Sequence, residues 1–277
     1  MSRAWRLLRR SRPRFWLYLA GPVLVGLAYG APSVAVLLSP LAVALFAYFL
    51  LPANAYLYGV NDVFDAAVDR ENPKKSGPEI RYRGGMETPV VVAATGALGL
   101  ALLAVVPAPA RPYLLGFLVL GAAYSAPPLR LKTRPPLDSL SNGLYVLPGA
   151  AAYAAVSGTH PPVLALVGGW LWTMAMHTFS AVPDVAPDRR AGIRTTATVL
   201  GRRGALVYCA VCWLLAAAVF GLLDVRAGLL LLVYPALVAG ILRGGVDADR
   251  AYWWYPAINT AVGMALTVPG LWVILRG

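Results

Sequence analysis

Long apolar stretches separated by short polar segments run along the whole chain. Each stretch has almost no charged residue and approaches the roughly 20 residues that an α-helix needs to cross about 30 Å of hydrocarbon. Such a pattern predicts membrane-spanning helices. Nine spans are predicted, at residues 14–30, 35–60, 88–106, 111–126, 138–157, 161–182, 203–223, 226–243 and 252–275. The second stretch is long, which indicates either a tilted helix or a helix that extends beyond the membrane surface.

The composition supports this all-α interpretation. Of the 277 residues, 59% are hydrophobic and 13% are charged, whereas soluble domains contain roughly a quarter charged residues. We expect one transmembrane domain over residues 1–277, in which residues 1–13 form a basic N-terminal segment.

The formal charge of +12 is explained by membrane topology. The basic residues are concentrated before the first predicted span and after the second, fourth, sixth and eighth spans. Loops rich in lysine and arginine face the cytoplasm. The N-terminus is therefore predicted in the cytoplasm and the C-terminus outside the cell, in the cell membrane, and no nucleic-acid partner is expected.

The first of two acidic clusters follows the second predicted span. Asn61, Asp65 and Asp69 are spaced i, i+4 and i+8, so on a helix they share one face over about two turns. The second cluster, Asp184 and Asp188, follows the sixth span and repeats the i, i+4 spacing. An arginine follows the last aspartate of each cluster, and the two segments look like a degenerate internal duplication.

Carboxylates at this spacing repel one another, so a positive partner is required. Mg²⁺ fits because it takes one or two carboxylates, waters and phosphate oxygens. Solvated helix ends that balance the basic loops are the simpler explanation for either cluster alone. Two clusters of matching spacing on the same predicted side favour Mg²⁺ ions that hold one diphosphate from both sides.

Further candidates surround the two clusters. Arg130 and Lys132 follow a proline-rich turn after the fourth span and are predicted to bind diphosphate, as are Lys75 and Arg194. Tyr124 and Phe64 are the aromatic residues nearest these motifs and are candidates to line a substrate pocket. His177, about two helical turns before Asp184, either orients a ligand, takes a final proton or is a buried hydrogen-bonded histidine.

These motifs resemble a known family. Asn61-x-x-x-Asp65-x-x-x-Asp69, Asp184-x-x-x-Asp188 and the segment 124–132 are similar to the signature of UbiA-type intramembrane prenyltransferases. The segment 177–197 resembles the carotenoid branch, the lycopene elongases. Many quinone-pathway members have Asn-Asp where this chain has Ser180-Ala181, which removes one possible metal ligand and favours the carotenoid branch.

The resemblance implies a nine-helix bundle whose central cavity opens at the cytoplasmic side. It also implies Mg²⁺-dependent transfer of an allylic group, such as dimethylallyl from its diphosphate, to a lipophilic acceptor in the membrane lipid, with lycopene favoured. Asp65, Asp69, Asp184 and Asp188 would hold Mg²⁺, and Asn61 would orient the first site. A quinone precursor, a chlorophyll-type ring or a glycerol-phosphate lipid are alternative acceptors, and a cation transporter is the alternative from another class.

Overall fold

The computed structural model describes residues 11–65 and 85–276, and every regular element in this part is helical. The predicted all-α class is thereby confirmed. Its helices are α1 Trp16–Gly30, α2 Val34–Leu37, α3 Pro40–Leu50, α4 Pro52–Asp65, α5 Glu87–Val105, α6 Arg111–Ser125, α7 Leu137–Leu140, α8 Leu147–Ser157, α9 Val163–Ser180, α10 Val185–Arg190, α11 Thr196–Gly221, α12 Val225–Leu231, α13 Val233–Leu242 and α14 Ala248–Arg276. Short 3₁₀ turns cover Pro13–Phe15, Ala108–Ala110, Leu131–Thr133, Ser141–Tyr145 and Val182–Asp184.

Six helical segments in the described ranges are long and apolar enough to cross a membrane. They are Pro40–Asp65, Glu87–Val105, Val163–Arg190, Thr196–Gly221, Val225–Leu242 and Ala248–Arg276. The molecule is accordingly a multi-pass membrane protein. The three other predicted spans correspond to α1 and α6, which have 15 residues each, and to residues 138–157.

The second predicted span bends where α3 meets α4. Pro52 has no N–H to donate, so the helical hydrogen bonding is interrupted. The side-chain amide of Asn54 donates instead to the carbonyls of Phe49, at 2.9 Å, and Leu50, at 3.0 Å. Helix α4 then continues to Asp65, five residues beyond the predicted end at residue 60.

Residues 138–157 do not form the single predicted span but α7, a 3₁₀ turn and α8. Polar side chains in this stretch bond to nearby backbone carbonyls: Ser141 Oγ donates to Leu137 O at 2.6 Å, and Asn142 Nδ2 donates to Asp138 O at 2.5 Å. Such bonds compete with regular helix. Gly143 lies against the ring of Trp170, where a larger side chain would collide with the indole.

The chain divides into two compact units, each of which has its own core. The first unit comprises Met1–Arg130, Leu147–His160 and Gly270–Gly277. In it, α1 and α8 approach backbone to backbone because Gly26 faces the Gly149 carbonyl and a Cβ on Gly30 would stand 2.9 Å from Tyr153 O. Small residues at a helix crossing allow this close packing in membrane proteins.

The second unit comprises Leu131–Val146 and Pro161–Pro269, and an aromatic cluster forms its core. The buried indole of Trp213 on α11 stacks on Tyr234 of α13, with 5.1 Å between ring centroids. Phe179 of α9 and Tyr255 of α14 lie 5.6 Å and 5.9 Å from the same indole. Four helices therefore meet at one tryptophan.

Replacing Trp213 with alanine should destabilise the protein by about 3–5 kcal/mol, because truncation of a buried aromatic ring loses its contacts and leaves a cavity. The measurement is the thermal unfolding midpoint of the purified protein in detergent. Trp254→Ala provides the matched control, since Trp254 is 62% exposed on α14, and its midpoint should stay near that of the unchanged protein. Equal midpoints for the two variants would show that the aromatic cluster does not organise this unit.

Candidate active site

The first acidic cluster lies on the last turns of α4, in the first unit. Asn61 and Asp65 are half-buried and Asp62 is buried. Asn61 Oδ1 accepts a hydrogen bond of 3.1 Å from Ser125 Oγ, and Ser125 is the last residue of α6. The ends of α4 and α6 are thus held together at the amide predicted to orient the first metal site.

Arg130, which the sequence predicts to bind diphosphate, contacts the same cluster. Its Nη2 atom donates to Asp65 Oδ1 at 3.1 Å, and the Asp65 side chain is only 15% exposed. The Arg130 backbone adopts φ 41°, a left-handed conformation that is unusual for a residue with a side chain. Its N–H bonds to Ala126 O at 2.9 Å, so a tight turn after α6 turns the guanidinium towards α4.

A second arginine approaches the remaining acid of this helix end. Arg12 Nη2 lies 3.6 Å from Asp62 Oδ1, and the Arg12 guanidinium lies 4.6 Å from the centroid of the Tyr58 ring. This contact assigns Asp62 to an ion pair with the segment before α1. It therefore separates the role of Asp62 from that of Asp65, three residues later on α4.

The second acidic cluster belongs to the second unit and differs in local structure from the first. Asp184 ends the 3₁₀ turn after α9, and Asp188 lies in the first turn of α10. Proline at 183 and at 187 explains why α9 does not simply continue through the pair. Asp184 and Asp188 are nevertheless both half-buried, whereas Ala186 between them is exposed. This pattern agrees with the shared face that the i, i+4 spacing predicts.

Arg189 fixes α10 to a kink in α11. The helix is interrupted at Gly201, whose φ of 73° and ψ of 169° are non-helical. The Arg189 Nε atom donates to Thr198 O at 2.7 Å, and a Cβ on Gly201 would stand 3.2 Å from Arg189 Nη2. Arg189, the arginine that follows the second acidic pair, therefore holds α10 against α11.

The other predicted site residues are placed as follows. Tyr124 is half-buried next to Ser125 at the end of α6, and Phe64 on α4 is 43% exposed. In the second unit, Lys132 lies in the 3₁₀ turn Leu131–Thr133, Arg194 is exposed between α10 and α11, and His177 lies one turn before the end of α9. Asp69 and Lys75 lie outside the described residues.

The donor chemistry of both clusters fits Mg²⁺. Within the described ranges no group of three His, Cys, Asp or Glu side chains is placed to enclose a metal ion. Mg²⁺ does not need such a cage, since it retains waters and uses one or two carboxylates together with substrate phosphates. Asn61 and Asp65 in the first unit, and Asp184 and Asp188 in the second, supply oxygen ligands of the required kind.

A buried polar network in the second unit was missed by the sequence analysis. Asp138 Oδ2 accepts a 2.8 Å hydrogen bond from Thr196 N, and its Oδ1 accepts one of 2.5 Å from Thr196 Oγ1. The neighbouring Ser139 Oγ contacts Thr178 Oγ1 at 3.0 Å and Tyr208 OH at 2.9 Å. The available signal was four polar residues among positions 138–142, at the start of a stretch predicted to be an apolar span.

Removing the Arg130 side chain should lower activity about 100-fold, because the site would lose a charge-assisted donor and Asp65 its ion-pair partner. Arg130→Lys keeps the charge without the planar fork and should fall between Arg130→Ala and the unchanged protein. The rate of product formation in membranes, normalised to protein content, is the measurement. Arg243→Ala is the control, since Arg243 is an exposed loop arginine; an equal loss there would contradict a specific role for Arg130.

Comparison with known proteins identifies the family of this chain. Residues 19–251 match the model of the UbiA prenyltransferase family. The chain belongs to this family. As a UbiA member it is a prenyltransferase, and the family match includes both acidic clusters.

Individual relatives are similar over nearly the whole chain. A lycopene elongase/hydratase of Halobacterium salinarum is 66% identical, over 96% of this chain and 97% of its own. The lycopene elongase/hydratase of Haloferax volcanii is 62% identical, over 96% and 89%. A UbiA homologue from Archaeoglobus fulgidus, solved bound to GPP and Mg²⁺, has a TM-score of 0.73 at 22% identity, over 96% and 99% of the two chains, and shows that the fold is shared.

Proposed function

We propose that this prenyltransferase moves a dimethylallyl group from dimethylallyl diphosphate to the end of lycopene or a closely related carotenoid. The single observation that carries the proposal is the 66% identity to a lycopene elongase/hydratase over almost the full length of both chains. The meeting of Asn61, Asp65 and Arg130 at one helix end supports it, because an amide, a carboxylate and a guanidinium suit a metal–diphosphate complex.

The roles of the residues follow from the chemistry of the first step, in which the allylic diphosphate ionises and its diphosphate departs. We assign Mg²⁺ to Asn61, Asp65, Asp184 and Asp188, and also to Asp69 by its spacing. Bound Mg²⁺ neutralises the charge that develops on the departing diphosphate. Arg130 is assigned to the diphosphate because the planar guanidinium forms charge-assisted hydrogen bonds with phosphate oxygens as it does with carboxylates.

Other side chains complete the substrate site in this proposal. Lys132, Lys75 and Arg194 add positive charge for the diphosphate. Tyr124 and Phe64 present ring faces to the allylic cation, which must be shielded from water until the acceptor double bond attacks it.

The same proposal includes topology. We propose that α1, α6 and the stretch from α7 to α8 also enter the membrane, which gives nine spans. The excess of lysine and arginine before the first span supports a cytoplasmic N-terminus and active site and an external C-terminus. The family match across residues 19–251 supports a single catalytic domain, for which we propose a central cavity that opens at the cytoplasmic side.

Pigment analysis of a lycopene-producing bacterium that expresses the chain tests the proposed function. The expected result is the appearance of carotenoids larger than lycopene by one or two C5 units, detected by mass spectrometry. In parallel, membranes are incubated with labelled dimethylallyl diphosphate and either lycopene or 4-hydroxybenzoate. Label in 4-hydroxybenzoate and none in lycopene would overturn the assignment of the acceptor.

A further inference from the structure

A buried carboxylate of the second unit holds the start of α11. Asp138 lies on α7 and is 2% exposed. Its Oδ2 atom accepts a 2.8 Å hydrogen bond from the backbone N–H of Thr196, the first residue of α11, and its Oδ1 atom accepts one of 2.5 Å from the hydroxyl of the same residue. The first N–H groups of a helix have no partner within the helix and form the positive end of its dipole. Asp138 therefore binds α11 at the end where a carboxylate is most favourable.

A capping box continues this connection into the first turn of α11. Thr195 Oγ1 accepts from Thr198 N at 3.1 Å, and Thr198 Oγ1 accepts in return from Thr195 N at 2.8 Å. These reciprocal bonds satisfy two backbone donors that the helix itself leaves open. Thr196 lies between the two threonines, and the side chains of Thr196 and Thr198 are both buried. The first turn of α11 is therefore one hydrogen-bonded piece, and Asp138 attaches it to α7.

The second acidic cluster is attached to the same turn from the other side. Arg189 Nε donates to Thr198 O at 2.7 Å, and Ile193 N donates to Asp188 O at 2.9 Å. Asp188, the proposed metal ligand, directly precedes Arg189 along the chain. A continuous path of hydrogen bonds thus runs from Asp138 through the first turn of α11 to the helix that carries Asp188. Every contact of this path lies within the second unit.

The two oxygens of Asp138 bind two different groups of Thr196, the amide and the hydroxyl. Two contacts fix the orientation of the turn, whereas one contact would leave it free to pivot. Orientation matters for the proposed metal, because Mg²⁺ requires nearly ideal octahedral geometry. A small displacement of α10 would therefore be enough to weaken the metal site.

We propose that Asp138 is a positioning residue of the second metal site. It holds the first turn of α11, to which α10 is fastened, and thereby sets the place of Asp188. This inference rests on the proposed function, in which Asp188 binds Mg²⁺. In this role Asp138 acts through α11 and α10 rather than by contact with metal or substrate. Groups that orient metal ligands contribute about 10- to 100-fold to metal affinity.

The test measures the Mg²⁺ concentration at which the purified full-length protein half-maximally binds a non-reactive thio analogue of dimethylallyl diphosphate. Asp138→Ala removes both acceptors, and we expect this concentration to rise about tenfold or more. Asp138→Asn should restore most of the affinity, because its amide oxygen accepts from Thr196 N and its amide nitrogen donates to the Thr196 hydroxyl. Thr196→Val keeps the N–H and loses the hydroxyl, so its shift should be intermediate.

Trp213→Ala is the control for a general loss of stability. It truncates a fully buried ring of the same unit, outside the path of hydrogen bonds from Asp138 to Asp188. Binding is measured below the thermal unfolding midpoint of every variant, and the Mg²⁺ dependence of Trp213→Ala should then match that of the unchanged protein.

A second readout uses the metal-free protein. Hydrogen exchange, followed by mass spectrometry, should become about tenfold faster at the Thr196 amide in Asp138→Ala, the factor that corresponds to loss of about one hydrogen bond. Asp138→Asn should keep the exchange rate of the unchanged protein at this amide, and so should Trp213→Ala.

The inference is overturned if Asp138→Ala requires no more Mg²⁺ than the unchanged protein, or if Trp213→Ala shows an equal shift. An Asp138→Asn variant as weak as Asp138→Ala would also overturn it, because hydrogen bonding would then not be what positions the cluster. If Asp138→Ala does not fold, an unshifted Thr196→Val has the same consequence. Binding by the unchanged protein without Mg²⁺ would remove the inference together with the metal assignment. Failure of the proposed acceptor leaves the binding comparison intact and has a different signature, namely no C5 adduct of lycopene from the unchanged protein.

Discussion

Asp65→Ala is expected to reduce prenyl transfer about 1,000-fold or more. This single change removes a proposed metal ligand and leaves the Arg130 guanidinium without the carboxylate that lies 3.1 Å from it. Loss of one preorganised electrostatic contact in an active site lowers rates about 10²- to 10³-fold, and here a ligand and an ion pair are lost together. The measurement is the initial rate of C5 adduct formation with saturating Mg²⁺.

Two companion variants separate charge from folding. Asp65→Asn retains an oxygen that accepts from Arg130 but lacks the negative charge, and we expect it to be nearly as inactive as Asp65→Ala. Asp224→Asn removes an exposed acid that caps α12 through Arg226 N at 2.8 Å, and an asparagine there keeps the cap. Its activity should stay within about twofold of the unchanged protein. Normal turnover by Asp65→Asn would show that the carboxylate charge at this position is not needed.

Asp188→Asn should reduce the rate of prenyl transfer by a similar factor, because Asp188 is the proposed metal ligand on α10 of the second unit. Asp188 lies on a short helix that Arg189 holds against the kink at Gly201. The position of Asp188 is therefore fixed by contacts within the second unit. If each acidic cluster is needed for diphosphate binding, neither replaces the other. Initial rates measured over a range of Mg²⁺ concentrations would show whether the remaining activity needs more metal.

Asp249→Asn is the matched control for this variant. Asp249 is an exposed acid of the second unit, 3.5 Å from Arg202, and exposed ion pairs contribute little to stability. We expect its rate and Mg²⁺ dependence to be those of the unchanged protein. If Asp188→Asn behaves in the same way as Asp249→Asn, the second cluster has no part in diphosphate binding.

Apolar run length was enough to predict most of the helices. The predicted span 88–106 and the helix Glu87–Val105 differ by one residue at each end, because hydrophobicity alone decides where a lipid-facing helix lies. The i, i+4 spacing also placed Asn61 and Asp65 on one face correctly. The sequence predicted Arg130 as a ligand of the diphosphate, and it did not indicate the contact of Arg130 with Asp65.

Long-range polar contacts could not be predicted from a single sequence. Asp138 was treated as the edge of an apolar span, yet it caps the start of α11 through Thr196, 58 residues away along the chain. Hydropathy averages over such a residue and cannot identify its partner. Arg189 of α10 bonds next to the kink at Gly201 in α11, and the Asn54 amide bonds the backbone carbonyls before the break at Pro52. Each of these features is decided by hydrogen bonds that spacing does not encode.

The central claim is that each acidic cluster contributes to binding of a Mg²⁺–diphosphate substrate, and equilibrium binding tests it most directly. Isothermal titration measures the affinity of the purified protein for a thio analogue of dimethylallyl diphosphate that ionises too slowly to react. The account predicts that binding requires Mg²⁺ and that Asp65→Asn and Asp188→Asn each weaken it about 100-fold. Binding that persists without Mg²⁺, or that is unaffected by one of the two variants, would contradict it.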